Sequence, residues 1–433
     1  VKSHDNKSIC IQPWISLALL PSGHFTHCCI AYKDRTRSNN GGLAHIESDT
    51  VFEAWESNFL RTIRERMTNG EYLEGCESCY VQEKAGKDSY RILNNREWKK
   101  RLGEESYKKI YSKVDNLEIQ YIDLRLGNQC NLKCRMCNPH NSSLISKEWN
   151  AIDKTQDAEL YNSILKKSNI DNDVNGDWDT NSFFWCDIEK IIPNLKKAYL
   201  TGGEPTIINS NYIFMSTCVR LGYAKDIDLV FNLNLNTLPK KFLDLISEFR
   251  SVNAIMSIDG YGEVNDYIRS GSRWKNVQRN IHKLASKKSR DLFISVSPVV
   301  QVYNLLSLHK LMYYLLILQL RYRKYFFVDL IYCLEPVFLD VKILPPKMKK
   351  KALVKLYPLY FAFLFIYQLS GKRFHLFTGV KGLVNYLKSN MNYSSDEKIE
   401  DFLAYTKILD KNRGQSFEKS LPSTYGYLRS YEK

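Results

Sequence analysis

Residues 128–139 read Asn-Gln-Cys-Asn-Leu-Lys-Cys-Arg-Met-Cys-Asn-Pro, with Cys130, Cys134 and Cys137 at CxxxCxxC spacing. Directly before them, residues 117–126 carry Ile119, Tyr121, Ile122, Leu124 and Leu126 in a strand-like alternation. A loop at the end of a buried strand can fold three thiolates onto one point. Three thiolates leave a four-iron cluster one ligand short, so one iron is open to a group that is not protein. A closed structural zinc site takes four protein ligands instead.

Working outward, the next landmark is Thr201-Gly202-Gly203-Glu204-Pro205, which follows a strand candidate at residues 197–200. Two glycines let a ligand come close to the backbone. A carboxylate and exposed carbonyls at a strand end suit an ammonium group. Further strand candidates span residues 228–234, 254–258, 292–301 and 325–332. With residues 119–126 they make six, each followed by a helical stretch, which is the pattern of a parallel α/β fold. The 228–234 strand ends at Asn234. The 254–258 strand leads into Ser257 and Asp259, two apart and so on one face, where both can bond hydroxyls. Arg269 offers a guanidinium, a bidentate partner for a carboxylate; a plain surface arginine is the other reading.

In this order these motifs resemble the radical S-adenosylmethionine (radical SAM) superfamily. The resemblance implies a partial (β/α)6, TIM-like barrel over residues 117–338. It implies a 4Fe–4S cluster on Cys130, Cys134 and Cys137 that binds SAM and cleaves it reductively to a 5′-deoxyadenosyl radical. That radical removes a hydrogen atom from a substrate, here a peptide or a small molecule. The family's SAM amino-group site falls on Gly202, Gly203, Glu204 and Pro205. Asn234 is carried over as a further SAM contact, the ribose contact falls on Ser257 and Asp259, and the partner of the SAM carboxylate on Arg269. An external flavodoxin or ferredoxin would supply electrons. Two departures are visible. Met136 stands where members usually carry an aromatic residue and fills the same apolar space. Leu233 stands where relatives tend to have threonine.

Residues 1–95 form the expected first unit. Residues 14–20 and 24–29 read as two strands around the turn Pro21-Ser22-Gly23, and residues 51–67 as a helix. Such a hairpin brings Cys10 and Cys28 near each other. With Cys76 and Cys79 they make four thiolates, enough for a closed second site. The Cys10-x-x-Pro13-Trp14 start, the Gly23-x4-Cys28 hairpin and Cys76-x2-Cys79 resemble the twitch domain, a shortened relative of SPASM. That resemblance implies a second, auxiliary 4Fe–4S cluster, which passes electrons or positions substrate; four cysteines close it to direct substrate ligation and favour electron transfer. Cys29 is the alternative to Cys28, and a zinc ribbon the alternative to a cluster. Residues 96–116 read as a linker. Residues 151–185 look like an insertion with Trp178 and Trp185, a candidate lid over the barrel. Residues 339–433 read as a helical extension, with helices at 345–355, 383–388 and 398–409.

The chain has 433 residues, 44% hydrophobic and 25% charged, which suits a protein that buries a core. Its 62 basic and 47 acidic residues leave +15. Those basic residues are spread along the chain and dense only at residues 347–351, so they read as solvated surface and not as a nucleic-acid footprint. Eleven cysteines, several in CxxC-type groups, point to metal in a reducing compartment. Cys186, Cys218 and Cys333 stand alone and are expected to be buried. The polar start lacks an apolar signal core, so the cytoplasm is expected. The longest apolar run, residues 356–367, falls short of the roughly 20 residues a membrane span needs and reads as a buried helix. The competing functional reading is a non-enzymatic zinc module whose charge holds RNA or another anionic partner. It leaves the Gly202–Gly203 and Ser257–Asp259 strand ends without a role.

Overall fold

The computed structural model describes residues 8–31, 34–84, 88–113, 115, 117–166, 181–287, 289–324, 326–370 and 374–432. Residues 167–180 of the expected insertion, with Trp178, lie outside them, as does Tyr325. The described residues gather into two compact units. The first takes them from Val1–Asn128, Asn175–Val230 and Asp244–Ser251, the second from Gln129–Val174, Phe231–Leu243 and Val252–Lys433.

The strands in chain order are β1 (Ser16–Leu19), β2 (Phe25–Thr26), β3 (Tyr121–Leu124), β4 (Lys133–Cys134), β5 (Lys197–Leu200), β6 (Asp228–Leu233), β7 (Ser251–Met256), β8 (Arg269–Ser270), β9 (Leu292–Val296), β10 (Val299–Val300), β11 (Phe327–Val328) and β12 (Ile331–Tyr332).

In the first unit β1 pairs antiparallel with β2, Leu19 opposite Phe25. On its other side β1 runs parallel to β3, Ser16 opposite Tyr121, and β3 runs parallel to β5, Tyr121 opposite Lys197. All four residues of β3 are buried, as expected of a parallel strand covered on both faces. β1 is thus a strand of the α/β sheet, although sequence places it in a separate amino-terminal unit. Of the 14–20 stretch only the last part is strand; Gln12–Ile15 is a short helix with Pro13 in its first turn. The single helix expected at 51–67 is two, Val51–Trp55 and Asn58–Thr68. Thr50 and Glu53 form a capping box on the first, and Ser57 caps the second, so two start signals in one apolar run make two helices. Residues expected as linker lie largely in the helices Tyr90–Leu102 and Glu104–Ile110. The core of this region joins Ile11, Trp14, Ile15, Ile63, Met67, Trp98 and Tyr121. Trp14 and Trp55 are buried, and their ring N–H groups reach the carbonyls of Lys113 and Leu117, each at 2.9 Å.

In the second unit β7 runs parallel to β9, Val252 opposite Leu292, and β9 to β11, Ser295 opposite Phe327. The expected 292–301 strand breaks at Ser297-Pro298 into β9 and β10, and β10 pairs with β12 instead. β4 pairs antiparallel with β8, Cys134 opposite Arg269. The carboxy-terminal part is helical and longer in each element than its sequence windows: Pro346–Leu369, His375–Ser389 and Asp396–Arg413.

Three expectations need correction here. Cys218 and Cys333 are buried, but Cys186 is exposed. The apolar run at 356–367 is part of a 24-residue helix, continuous through Pro358, whose face with Val354, Phe361, Phe365 and Leu369 is exposed. Among the described residues it is one helix long and apolar enough to cross a membrane by length and composition. In the dense basic run, Lys349 is buried and donates to the carbonyls of Lys342, Asn390 and Tyr393 at 2.6, 2.8 and 2.5 Å. An ammonium has three N–H donors, and here each has an acceptor.

Candidate functional site

Cys130, Cys134 and Cys137 lie in the second unit. The loop is tight: Cys137 N donates to the Cys134 carbonyl at 3.1 Å. Cys134 is buried, while Cys130 and Cys137 are partly exposed. Burial pushes the Cys134 and Cys137 thiols up from their ordinary value, and for Cys137 the neighbouring Cys134 and Cys130 add to this. Thiolates crowded together in a dry place need a cation to ionise, and a metal supplies one.

The loop is held by residues that sequence reading missed. Arg135 sits between two of the cysteines and is fully buried. Its N–H donates to the Ile268 carbonyl at 2.9 Å and its Nε to the Tyr267 carbonyl at 3.1 Å. Its Nη2 pairs with Asp410 and donates to Gln415 Oε1 at 3.0 Å, and its guanidinium lies 3.8 Å from the Tyr267 ring centroid. Tyr405 Oη donates to the Arg135 carbonyl at 2.9 Å. One residue before Cys134, the Lys133 carbonyl accepts from Arg413 at 2.9 Å, and Glu148 binds both Lys133 and Arg413. Thus the helix Asp396–Arg413 clamps the cysteine loop. A charged residue inside a short buried motif was the available signal; its partners lie far away in sequence.

Asn234 is buried and donates to Asn131 Oδ1, in the same loop, at 2.8 Å, while its own oxygen accepts from Asn236 N at 2.9 Å. Ser257 is half-buried just after β7. Asp259 and Arg269 differ from expectation. Asp259 is fully buried; one oxygen pairs with Arg269 Nε at 2.7 Å and the other accepts from Val299 N at 2.8 Å. Arg269 is buried, not a surface residue, and its Nη1 donates to Cys134 Sγ at 3.7 Å. In this arrangement Asp259 orients Arg269, and Ser257 is the more accessible hydroxyl-binding side chain of the two.

Gly202, Gly203, Glu204 and Pro205 lie in the first unit. Gly202 has φ +113°, and a Cβ there would stand 2.6 Å from the Gly127 carbonyl oxygen. Gly203 N donates to that same oxygen at 3.2 Å. The turn therefore lies directly on the end of the β3 segment, and only glycine fits at 202. Glu204 is buried, and its Oε1 accepts from Thr206 Oγ1 at 2.7 Å. On β3 itself, Asp123 is buried 3.6 Å from the Arg125 guanidinium, and burial pushes its carboxyl up.

Also in the first unit, Cys10, Cys28, Cys76 and Cys79 line one pocket, together with His27 and Arg91. Cys29 is not part of its lining; it faces Asp123, Arg125 and Tyr90. Burial raises the Cys10 thiol strongly, raises Cys76 to about 12, and raises Cys79. Among the described residues no three His, Cys, Asp or Glu side chains gather tightly enough to hold a single metal ion. A four-iron cluster takes its thiolates on separate irons. The donor set, four thiols around one pocket, fits such a cluster.

Residues 10–80 match SPASM, an iron–sulfur cluster-binding domain. The SPASM match begins at Cys10 and ends one residue after Cys79, so it encloses all four thiols and His27. No curated protein matches the chain. Among solved structures the chain is similar to anSMEcpe with bound AdoMet, at 17% identity and TM-score 0.37, over 59% of this chain and 62% of that one. It is also similar to SuiB of Streptococcus suis bound to S-adenosylmethionine, at 12% identity and TM-score 0.32, over 63% and 53%. With SuiB bound to precursor peptide SuiA the identity is 14%, the TM-score 0.38, and the coverage 86% and 81%. The chain thus spans less than two thirds of the length of anSMEcpe.

Proposed function

We propose that the chain is a radical SAM enzyme with two 4Fe–4S clusters, one on Cys130, Cys134 and Cys137 and one on Cys10, Cys28, Cys76 and Cys79. The observation that carries the reading is the glycine-only turn at Gly202, seated on the segment that ends β3 and following, in the sequence, a clamped three-cysteine loop. When bound, the three-cysteine cluster supplies the electron that splits SAM into methionine and a 5′-deoxyadenosyl radical.

The protein's own residues bind and orient. Glu204 and the carbonyls around Gly202 and Gly203 receive the SAM ammonium. Ser257 bonds the ribose, and Asn234 keeps the cysteine loop in register through Asn131. Arg269, held by Asp259, is available to the SAM carboxylate and to the Cys134 sulfur. Arg135 and Arg413 hold the loop through their buried contacts. The auxiliary site relays electrons, the donor is a flavodoxin or ferredoxin, and the substrate is a peptide or a small molecule.

Anaerobic reconstitution tests this. The protein should take up about eight irons with sulfide, four for each cluster, and release 5′-deoxyadenosine from SAM with dithionite. Cys134→Ala should abolish that release and keep about half the iron. A colourless protein loaded with zinc would favour the zinc-module reading instead, and a Cys134→Ala variant with full 5′-deoxyadenosine release would place SAM cleavage away from this loop.

A further inference from the structure

His27 is 1% exposed, and among the described residues neither ring nitrogen has a hydrogen-bond partner. Other histidines of this segment do better. His24 Nδ1 lies 3.0 Å from Ser22 Oγ, and His45 Nε2 lies 2.8 Å from the Ser22 carbonyl. A buried imidazole without a partner is costly, because its N–H and its bare nitrogen have both left water. His27 lines the pocket of the four thiols. Two other polar side chains there are committed. Arg91 binds Glu83 and the Ile9 carbonyl, and Gln12 binds Asn94 at 2.7 Å. An imidazole carries at least one ring N–H to give.

We propose that His27 donates this N–H to a sulfur of the iron–sulfur cluster held by Cys10, Cys28, Cys76 and Cys79. The proposal rests on the cluster reading of residues 10–80. Four thiolates already provide one ligand for each iron, so the ring meets the cluster through its hydrogen-bond donor and not through iron. A donor on sulfur stabilises the more negative, reduced form and raises the reduction potential. His27 is therefore a tuning residue for the auxiliary cluster, not a catalytic one.

The test uses the full-length chain with Cys130→Ala, Cys134→Ala and Cys137→Ala, so that only the amino-terminal site reports. After anaerobic reconstitution, adding His27→Leu should keep about four irons and move the midpoint potential to more negative values. His27→Gln keeps an N–H donor and should move it less; it also carries the comparison if His27→Leu does not fold. Pulsed electron paramagnetic resonance should find a weak nitrogen coupling in the parent that His27→Leu removes. An unchanged potential with an unchanged nitrogen signal overturns the proposal. So does a strong coupling typical of iron-bound nitrogen, with iron lost from both variants, because His27 would then be a ligand. A parent that takes zinc but no iron and sulfide overturns the cluster reading itself, and shows this before any His27 variant is compared.

Discussion

Arg413 donates from Nη1 to the backbone carbonyl of Lys133 at 2.9 Å, across 280 residues of chain. Its other nitrogens bind Glu148, and its side chain is 1% exposed. The carboxy-terminal helix thereby fixes the residue next to Cys134. Removing one partner of a buried ion pair typically costs about 3–5 kcal/mol. Lys133 remains on Glu148, so Arg413→Leu should fall at the low end, about 3 kcal/mol. Urea unfolding should show the loss, and iron bound at Cys130, Cys134 and Cys137 should fall while the amino-terminal site stays filled. Unchanged stability and iron would mean that the helix only covers the loop.

The same contact makes a pH prediction. Burial alone would raise the Glu148 pKa, but hydrogen bonds and charges from Arg413 and Lys133 outweigh it and hold the pKa below its ordinary 4.5. A depressed folded pKa means stability that is fully present above the unfolded value and lost as pH falls through the folded one. Relative to Glu148→Gln, the metal-free wild-type chain should keep a constant advantage above pH 4.5 and lose it progressively below. An advantage that grows with acid would show that Glu148 is not held ionised.

Gly202→Ala should destabilise the first unit. Its φ of +113° and the 2.6 Å approach to the Gly127 oxygen leave no room for a methyl group. Alanine at a positive φ costs more than about 1 kcal/mol. Gly426→Ala is the control: its site is open, it lies in the helix Pro422–Leu428, and the change should be neutral or favourable. Equal thermal shifts for the two variants would remove the special role of the turn.

Glu204→Gln keeps the shape and removes one charge. If Glu204 receives the SAM ammonium, losing a charge-assisted bond should weaken SAM affinity by roughly 1.5–3 kcal/mol. The cluster should stay intact, since Glu204 and the cysteines are separate residues of the two units. SAM binding is followed by its effect on the cluster's paramagnetic signal; a titration matching wild type would leave Glu204 as a partner of Thr206 alone.

Cys76→Ala with Cys79→Ala should remove the amino-terminal cluster and loosen residues 10–80 to protease, because metal–thiolate bonds readily offset the slowly growing cost of closing a long loop. Dithionite-driven SAM cleavage should persist. Turnover with a protein electron donor should drop if the auxiliary cluster relays electrons. Two clusters surviving in this variant would place the ligands elsewhere.

What could be read in the sequence was what repeats or clusters locally. Residues 197–200 read as a strand and are β5, and every other strand candidate contains observed strand, because period-two alternation is a property of neighbours in the chain. Cysteine spacing singled out Cys130, Cys134 and Cys137, and Cys76 with Cys79, since CxxxCxxC and CxxC are short-range geometry. Tertiary structure decided what depends on distant partners. Trp14 and Ile15 alternate like strand residues, yet they form a helix whose indole reaches Lys113. Cys28 rather than Cys29 lines the pocket, a choice between adjacent side chains that the fold makes and the sequence does not show. Asp259 reads as a sugar contact until Arg269 is seen 2.7 Å away. The helix ending at Arg413 looked empty of chemistry because its partners, Lys133, Arg135 and Glu148, lie some 265 to 280 residues earlier. No local pattern encodes such a pair: a buried charge shows only that it needs a partner, and the packing of the folded chain decides which one it meets.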